Sequence, residues 1–367
     1  MINIGISGNP LEPKIRRHFD GIGVYTNAIY DNLKDHQDIK IQPFAYTKVP
    51  DKLCYSKVID QSYGHAVLKN LVLKQTKNLN VDVMHFTDYH VVDTRCPSIA
   101  TVHDAIPLMH PEWVSSRHRT LKNALMKKMV NKADAFIAVS QYATAELTEY
   151  FGLPQERIQV IPCGIDANWL KPIIQDEDIL KKYGLQPHFF LAVGTFQPRK
   201  NFDQIIHSYF QLPESIRKQH QLVIVGKQGW HCDSTIQLIQ DYQRRYANQL
   251  VWLNQVETRE DIKQLYLHAL SLVFASLYEG FGIPILEAFT TQTPVITSDT
   301  SSMPEVVGNA GLVINPYQKD DITQAMLDIS QSEQLRLDFI QKGHHQLQKF
   351  HWDKISQQLI EFYKSVI

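Results

Sequence analysis

What this chain has little of narrows its class first. Four cysteines occur in 367 residues, at Cys54, Cys96, Cys163 and Cys232. They lie far apart and form no metal-type pair, which argues against a disulfide scaffold or a zinc knuckle. Reduced, mostly buried thiols in a cytosolic protein are expected. Net charge is nearly absent, since 37 Lys and Arg against 38 Asp and Glu leave a formal −1. A chain without basic excess carries no general footprint for nucleic acid, and none is expected as a partner. No run of about 18 apolar residues occurs, so no segment reads as membrane-spanning. The first residues, Met1 to Ser7, read as a short strand without the length or flanks of a signal peptide.

What is present is globular: 44% hydrophobic and 20% charged residues. The length exceeds one ordinary core, so two domains are expected. Short apolar runs alternate with helical segments, the pattern of a parallel α/β sheet. Strands are expected at residues 3–7, 39–45, 81–86, 98–103, 135–140 and 158–161, with helices such as 22–33 and 117–132 between them. A second series follows at residues 189–194, 221–226, 250–253, 272–275, 294–297 and 311–314. The turn-rich stretch 162–172 separates the two. The expected domains are therefore residues 1–165 and 166–350. Residues 351–367 should form a helix returning to the first domain, with Ile355, Leu359, Ile360, Phe362 and Tyr363 on its apolar side. Two Rossmann-like sheets would face each other across a cleft lined by the carboxyl ends of their strands.

The most informative string runs from Glu279 to Ala288, Glu-Gly-Phe-Gly-Ile-Pro-Ile-Leu-Glu-Ala. It reads as strand, glycine loop, helix. Gly280 and Gly282 let backbone approach a ligand closely, and Pro284 suits a first helical turn. The helix start attracts an anion such as phosphate. Glu279 and Glu287 offer carboxylates to sugar and ribose hydroxyls. Amide donors and carboxylates together suit a nucleotide sugar.

Other strings follow strand ends. Gly194 to Asn201 places Arg199 and Lys200 in a glycine- and proline-containing loop suited to a diphosphate. His103-Asp104 closes an apolar strand. The histidine could donate to a substrate, with Asp104 orienting its ring, or be purely structural. Gly21 and Gly23 open the first helix but form no Gly-x-Gly-x-x-Gly fingerprint. Ser302-Met-Pro-Glu305 has the form of a capping box. Residues 117–132 carry Arg117, Arg119, Lys122, Lys127, Lys128 and Lys132 beside a short stripe of Leu121, Leu125 and Met129. Such a helix could rest on an anionic membrane surface or simply face solvent. No His cluster or Asp-x-Asp stands beside Arg199 and Lys200, so neither metal nor cofactor is implied.

Taken in order, these strings resemble the retaining glycosyltransferases of family 4, the group 1 type, with the GT-B arrangement. The resemblance covers nearly the whole chain. It rests on Gly21 to Tyr25, Ala100 to Asp104, Ala138 to Tyr142, Ile161 to Asp166, Val193 to Asn201, Glu279 to Glu287, Pro294 to Ser298 and Met303 to Gly308. It implies metal-independent hexosyl transfer from a nucleotide sugar, GDP-mannose or a UDP-sugar, to a glycan or lipid-linked acceptor in bacterial-type surface polysaccharide synthesis. The enzyme would be cytoplasmic, at most peripheral to the inner face of the plasma membrane.

By that resemblance Glu279 contacts the donor sugar near the reacting carbon and Glu287 binds ribose. Phe281 and Gly282 offer amides to the sugar or phosphate, and Lys200 with Arg199 neutralises the diphosphate. His103 touches the donor sugar, Gly23 lies by phosphate and acceptor with Gly21 on the acceptor side, and Val256 meets the base. Many members carry Arg where this chain has Thr195, and Arg199 is expected to supply that charge. Two alternatives share the fold. One is a nucleotide-sugar 2-epimerase, which needs acid/base carboxylates instead of an acceptor site. The other is a non-catalytic partner subunit, which should have lost its sugar and phosphate contacts.

Overall fold

A computed structural model describes residues 1–13, 21–113, 119–172 and 174–367. Its contacts divide the chain into two units. The first comprises Met1–Asp166 with Phe350–Ile367, and the second comprises Ala167–Lys349.

The first unit holds seven strands: β1 (Ile2–Ser7), β2 (Ile39–Tyr46), β3 (Lys57–Asp60), β4 (Val83–Phe86), β5 (Ser98–Val102), β6 (Ala135–Ala138) and β7 (Ile158–Val160). All pair in parallel, in the order β3-β2-β1-β4-β5-β6-β7. Strands β4, β5 and β6 are buried at every position, which is why they read as unbroken apolar runs instead of alternating ones. Strand β3 escapes sequence reading for the opposite reason. It is a four-residue edge strand with its first two residues exposed, so it has no period to detect.

The helix Gly21–Leu33 buries Tyr25, Ile29 and Leu33. The last helix, Trp352–Val366, packs in this unit against it through Trp352, Ile355, Leu359, Ile360 and Tyr363. Phe362, expected on the same apolar side, is only half-buried. Trp352 seats on Gly164, where any β-carbon would come within 2.6 Å of the indole.

The second unit continues with β8 (Phe189–Val193), β9 (Leu222–Val225), β10 (Leu250–Leu253), β11 (Ala269–Phe274), β12 (Val295–Ser298) and β13 (Gly311–Ile314). These too are parallel, ordered β10-β9-β8-β11-β12-β13. Strand β11 starts three residues before the expected 272, and its register to β8 shifts between Ala269 and Ser271. Fully buried Phe190, Leu222, Ile224 and Ile296 fill the core with Tyr209 and Ile206 from a covering helix. Each such side chain contributes roughly 1.5–3 kcal/mol by burial.

In both sheets the strand order reverses once, between β1 and β4 and between β8 and β11. Chains leaving the carboxyl ends of those neighbours diverge to opposite faces and leave a crevice. This is where open α/β sheets bind ligands.

Candidate active site

At the switch point of the second sheet, β8 runs into Gly194–Asn201 and β11 into Ala275–Gly282. These two loops are stitched together. The Leu277 N–H donates to the Arg199 carbonyl at 2.7 Å. Asn201, in the left-handed region at φ 59°, donates from its amide to the Ala275 and Pro316 carbonyls. Gly194 sits at φ +152°, and a β-carbon there would lie 3.2 Å from Lys200 Cε. A side chain at that position would push the lysine out of place.

The stitching brings Arg199, Lys200 and Glu279 into direct contact. Arg199 Nη1 donates to Glu279 Oε2 at 2.5 Å and to the Tyr278 carbonyl at 3.0 Å, while Lys200 Nζ donates to Glu279 Oε1 at 2.5 Å. All three side chains are largely buried. Arg199 is fixed further through Nε to Gln197, and the Lys200 ammonium lies 5.0 Å over the Phe274 ring. Burial by itself would raise the Glu279 pKa, but the two cations override it and hold the carboxyl at about 2. Lys200 moves down, because burial and Arg199 outweigh the attraction of Glu279. Two cations and one carboxylate leave the group with a net charge of +1. The sequence offered Arg199 and Lys200 to a diphosphate. The fold shows that Glu279 already holds both.

Gly282, at φ +111°, turns the chain into the helix Ile283–Thr290, with Pro284 in its first turn. That helix start carries positive partial charge. Phe281 and Gly282 are buried just before it, and Glu287 stands one turn in. Glu287 Oε2 accepts a 2.9 Å hydrogen bond from the fully buried Tyr266 hydroxyl. Tyr266 therefore fixes the direction of the carboxylate expected to meet ribose. No local pattern marked Tyr266, which lies 21 residues upstream on another helix.

The capping-box expectation at Ser302 is overturned. Ser302 already has helical angles (φ −75°, ψ −13°) and makes no side-chain cap. Its hydroxyl reaches instead to the carbonyls of Glu279 and Phe281, at 2.8 and 2.7 Å. The Glu279 N–H donates to Ser301 Oγ at 3.0 Å. Both serines thus hold the Glu279 loop. The only hint in sequence was a Ser-Ser pair at a strand end.

Val256 follows β10, two strands from β8, and is itself partly buried in an otherwise exposed loop. Thr195 is exposed beside Gly194. The sequence also contains an Asp-x-Asp string at Asp176 to Asp178. There Asp176 accepts the Asp178 N–H and Asp178 pairs with Lys181, as part of the start of a short helix.

The remaining expected residues belong to the first unit. His103 follows β5. Its Nε2 pairs with the Thr87 carbonyl at 2.9 Å, so the proton sits on Nε2. Asp104 accepts the Ile106 N–H at 3.0 Å and so shapes the next turn. The Tyr25 ring meets His103 edge-on at 4.9 Å. Behind it runs a buried polar chain. Tyr25 Oη bonds Thr101 Oγ1 (3.1 Å), Thr101 Oγ1 bonds His85 Nε2 (2.7 Å), and His85 Nδ1 bonds the Tyr363 hydroxyl (2.8 Å). Complete burial lowers the His85 pKa to about 3, so the imidazole stays neutral. The last helix is thereby tied to the neighbour of His103. Gly21 is exposed in open space at the start of the helix Gly21–Leu33, while Gly23 is buried and accepts from Asn27.

The basic segment departs from expectation. The helix is Arg119–Val130, and Arg117 lies outside the described residues. Met129 is fully buried with Val130 in the core, and Lys132 pairs with Asp93 beyond the helix end. Of the expected stripe, Met129 is used inside the fold, Leu125 is half-buried and Leu121 is exposed. Leu121, Lys122, Lys127 and Lys128 stay exposed.

Comparison with known proteins agrees with this fold. The family described as group 1 glycosyl transferases matches residues 175–346, and that described as glycosyltransferase family 4 matches residues 59–169. The O-antigen chain mannosyltransferase B of Escherichia coli is 30% identical over 285 residues, covering 77% of this chain and 74% of that protein. The O-antigen chain mannosyltransferase RfbU of Salmonella typhimurium is 28% identical over 271 residues, covering 74% and 70%. Among solved structures, Anabaena Alr3699/HepE in complex with UDP-glucose matches with a TM-score of 0.75 at 18% identity over 100% of both chains. At that identity the match speaks for the fold.

Proposed function

The chain belongs to the group 1 glycosyltransferases of family 4, and from that premise we propose that it transfers mannose from GDP-mannose to a growing surface polysaccharide. It is a transferase acting in polysaccharide synthesis. Mannose as the sugar rests on the names of two relatives, both O-antigen chain mannosyltransferases. One observation carries the donor side of the reading. Arg199, Lys200 and Glu279 meet at the sheet's switch point, just before a helix start.

In this reading the donor diphosphate takes over Arg199 and Lys200 and releases the Glu279 carboxylate toward the sugar. The bond from the anomeric carbon to phosphate oxygen breaks, and the bond to the acceptor oxygen forms on the same face. The acceptor proton passes to the leaving phosphate. Glu279 stabilises the positive charge that builds at the sugar. Glu287, steadied by Tyr266, receives ribose hydroxyls, and Val256 meets the base. Phe281, Gly282, Gly23 and His103 serve phosphate and sugar. The cations and the helix start do the work a divalent ion does elsewhere. The partner-subunit reading loses ground because the cation–carboxylate cluster beside the helix is intact, and the epimerase reading because the matching families and relatives are transferases.

GDP release by the purified protein, followed without acceptor, tests this. GDP-mannose should turn over faster than UDP-glucose, and the rate should persist in EDTA. Preference for the UDP-sugar would sink mannose as the substrate. A loss in EDTA that magnesium restores would sink the metal-free reading.

A lipid-linked acceptor would place the enzyme at a cytoplasmic membrane face. Among the described residues no helix is long and apolar enough to cross a membrane. Contact would rest on exposed Lys122, Lys127 and Lys128 beside Leu121, each cation contributing about 1 kcal/mol at low salt. Co-sedimentation with phosphatidylserine vesicles should fall sharply when all three lysines become glutamate. Equal sedimentation of both proteins at low salt would remove this role.

A further inference from the structure

His103 is held from two directions by the helix Gly21–Leu33. Thr26 and Thr87 are both fully buried. Thr26 donates its hydroxyl proton to the Ile22 carbonyl at 2.8 Å, so in its 2.7 Å contact with Thr87 it accepts. Thr87 presents its carbonyl to His103 Nε2, and its own N–H donates to Ser7 Oγ at 3.1 Å. One imidazole nitrogen is thereby pinned. Where the rest of the ring lies depends on Tyr25, the residue before Thr26, whose ring meets it edge-on.

Tyr25 is anchored in turn. Its hydroxyl bonds Thr101, Thr101 bonds His85, and His85 bonds Tyr363 on the last helix. Thr101 and His103 stand two residues apart at the end of β5, so they share a face of the sheet. All four members of the chain are buried, and His85 and Thr101 interrupt strands that are otherwise mostly apolar. Buried polar groups cost stability unless each is bonded, and apolar groups of the same shape would hold such a core equally well. What a fully bonded chain adds to apolar packing is one fixed arrangement of its members. That arrangement ends at the ring beside His103.

We infer that Tyr363 is a positioning residue for His103, acting through His85, Thr101 and Tyr25. Tyr363 is itself fully buried and works only through these neighbours. Without its hydroxyl, His85 Nδ1 loses its partner in a site closed to water, and the imidazole and Thr101 readjust. Tyr25 then loses its anchor, and the His103 ring loses the edge it rests against while Nε2 stays on Thr87. A small displacement of a group that meets substrate slows the reaction more than it weakens binding. The effect on turnover rests on the transferase reading. The placement of the His103 ring does not.

Two measurements on the full chain test it. In histidine-selective NMR, the Nε2–H signal that disappears in His103→Ala identifies His103, and Tyr363→Phe should shift it. In GDP-mannose turnover followed without acceptor, Tyr363→Phe should lower kcat about tenfold and change KM by no more than about twofold. In the His103→Ala background the same substitution should lower kcat no further, since residues acting as one unit are not additive. GDP should still raise the unfolding midpoint of each variant, which shows that it is folded. If Tyr363→Phe fails to fold, Thr101→Val cuts the same chain one link closer to Tyr25 and decides. An unmoved His103 signal in a folded variant, an unchanged kcat, or a loss just as large in the His103→Ala background would overturn the inference. Wild-type protein that leaves GDP-mannose intact would count against the transferase reading alone, and the His103 signal would then decide the positioning.

Discussion

Glu279→Gln is expected to lower transfer by about 10²–10³-fold while GDP binds at least as tightly as to wild type. The catalytic part follows from removing a negative charge beside a centre where positive charge develops. The binding part follows from the resting contacts. Glu279 holds both Arg199 and Lys200 at 2.5 Å and would compete with a diphosphate for them. Taking the carboxylate away leaves two buried cations facing the ligand site. Their lost partner costs folding about 3–5 kcal/mol, and bound GDP should recover much of it. The variant should therefore melt lower alone and gain more from GDP.

Acid behaviour gives the same residue a second readout. The Glu279 carboxyl lies at about 2 in the folded protein against an ordinary 4.5. A depressed pKa stabilises fully above pH 4.5, and that stabilisation is lost as pH falls from about 4.5 toward 2. Wild type should lose stability over that window faster than Glu279→Gln. Near-normal turnover by the variant, or GDP binding clearly weaker than wild type, would refute the exchange of partners.

Lys200→Ala should weaken GDP binding by about 1.5–3 kcal/mol, roughly 10–150-fold, and leave guanosine binding unchanged. Lys200 is buried at the second switch point, pinned between the Phe274 ring and Glu279, and has no solvent-facing task. Its charge therefore serves either Glu279 alone or an incoming anion as well. Titration calorimetry with GDP and guanosine separates these. Equal losses for both ligands would mean the substitution deforms the site. No loss for GDP would place the diphosphate elsewhere.

Much of the architecture was legible in the chain. Apolar runs such as Phe189 to Val193 are buried on both faces, so burial wrote them into the sequence without alternation. The same holds for the last helix, whose heavily buried side repeats at Ile355, Leu359 and Tyr363. Edge strand β3 was not legible, because half-exposed residues leave no pattern. Ser302 misled for a related reason. Its neighbours fit a cap, but its hydroxyl was needed by carbonyls more than twenty residues away. Met129 misled likewise, since a short apolar stripe looks the same whether it meets lipid or core.

The sequence by itself determined the class of the protein. The alternation of apolar runs with helices fixes an α/β chain, and the loops Gly194–Asn201 and Glu279–Gly282 carry charge and glycine at strand ends. Only the tertiary structure decided which charges meet. Strand order set β8 beside β11 across 80 residues of chain, and with it Arg199 and Lys200 onto Glu279. It likewise set β1 beside β4 in the first sheet. Local periodicity records whether a residue is buried. The order in which parallel strands pack depends on long-range contacts, and no local period encodes it.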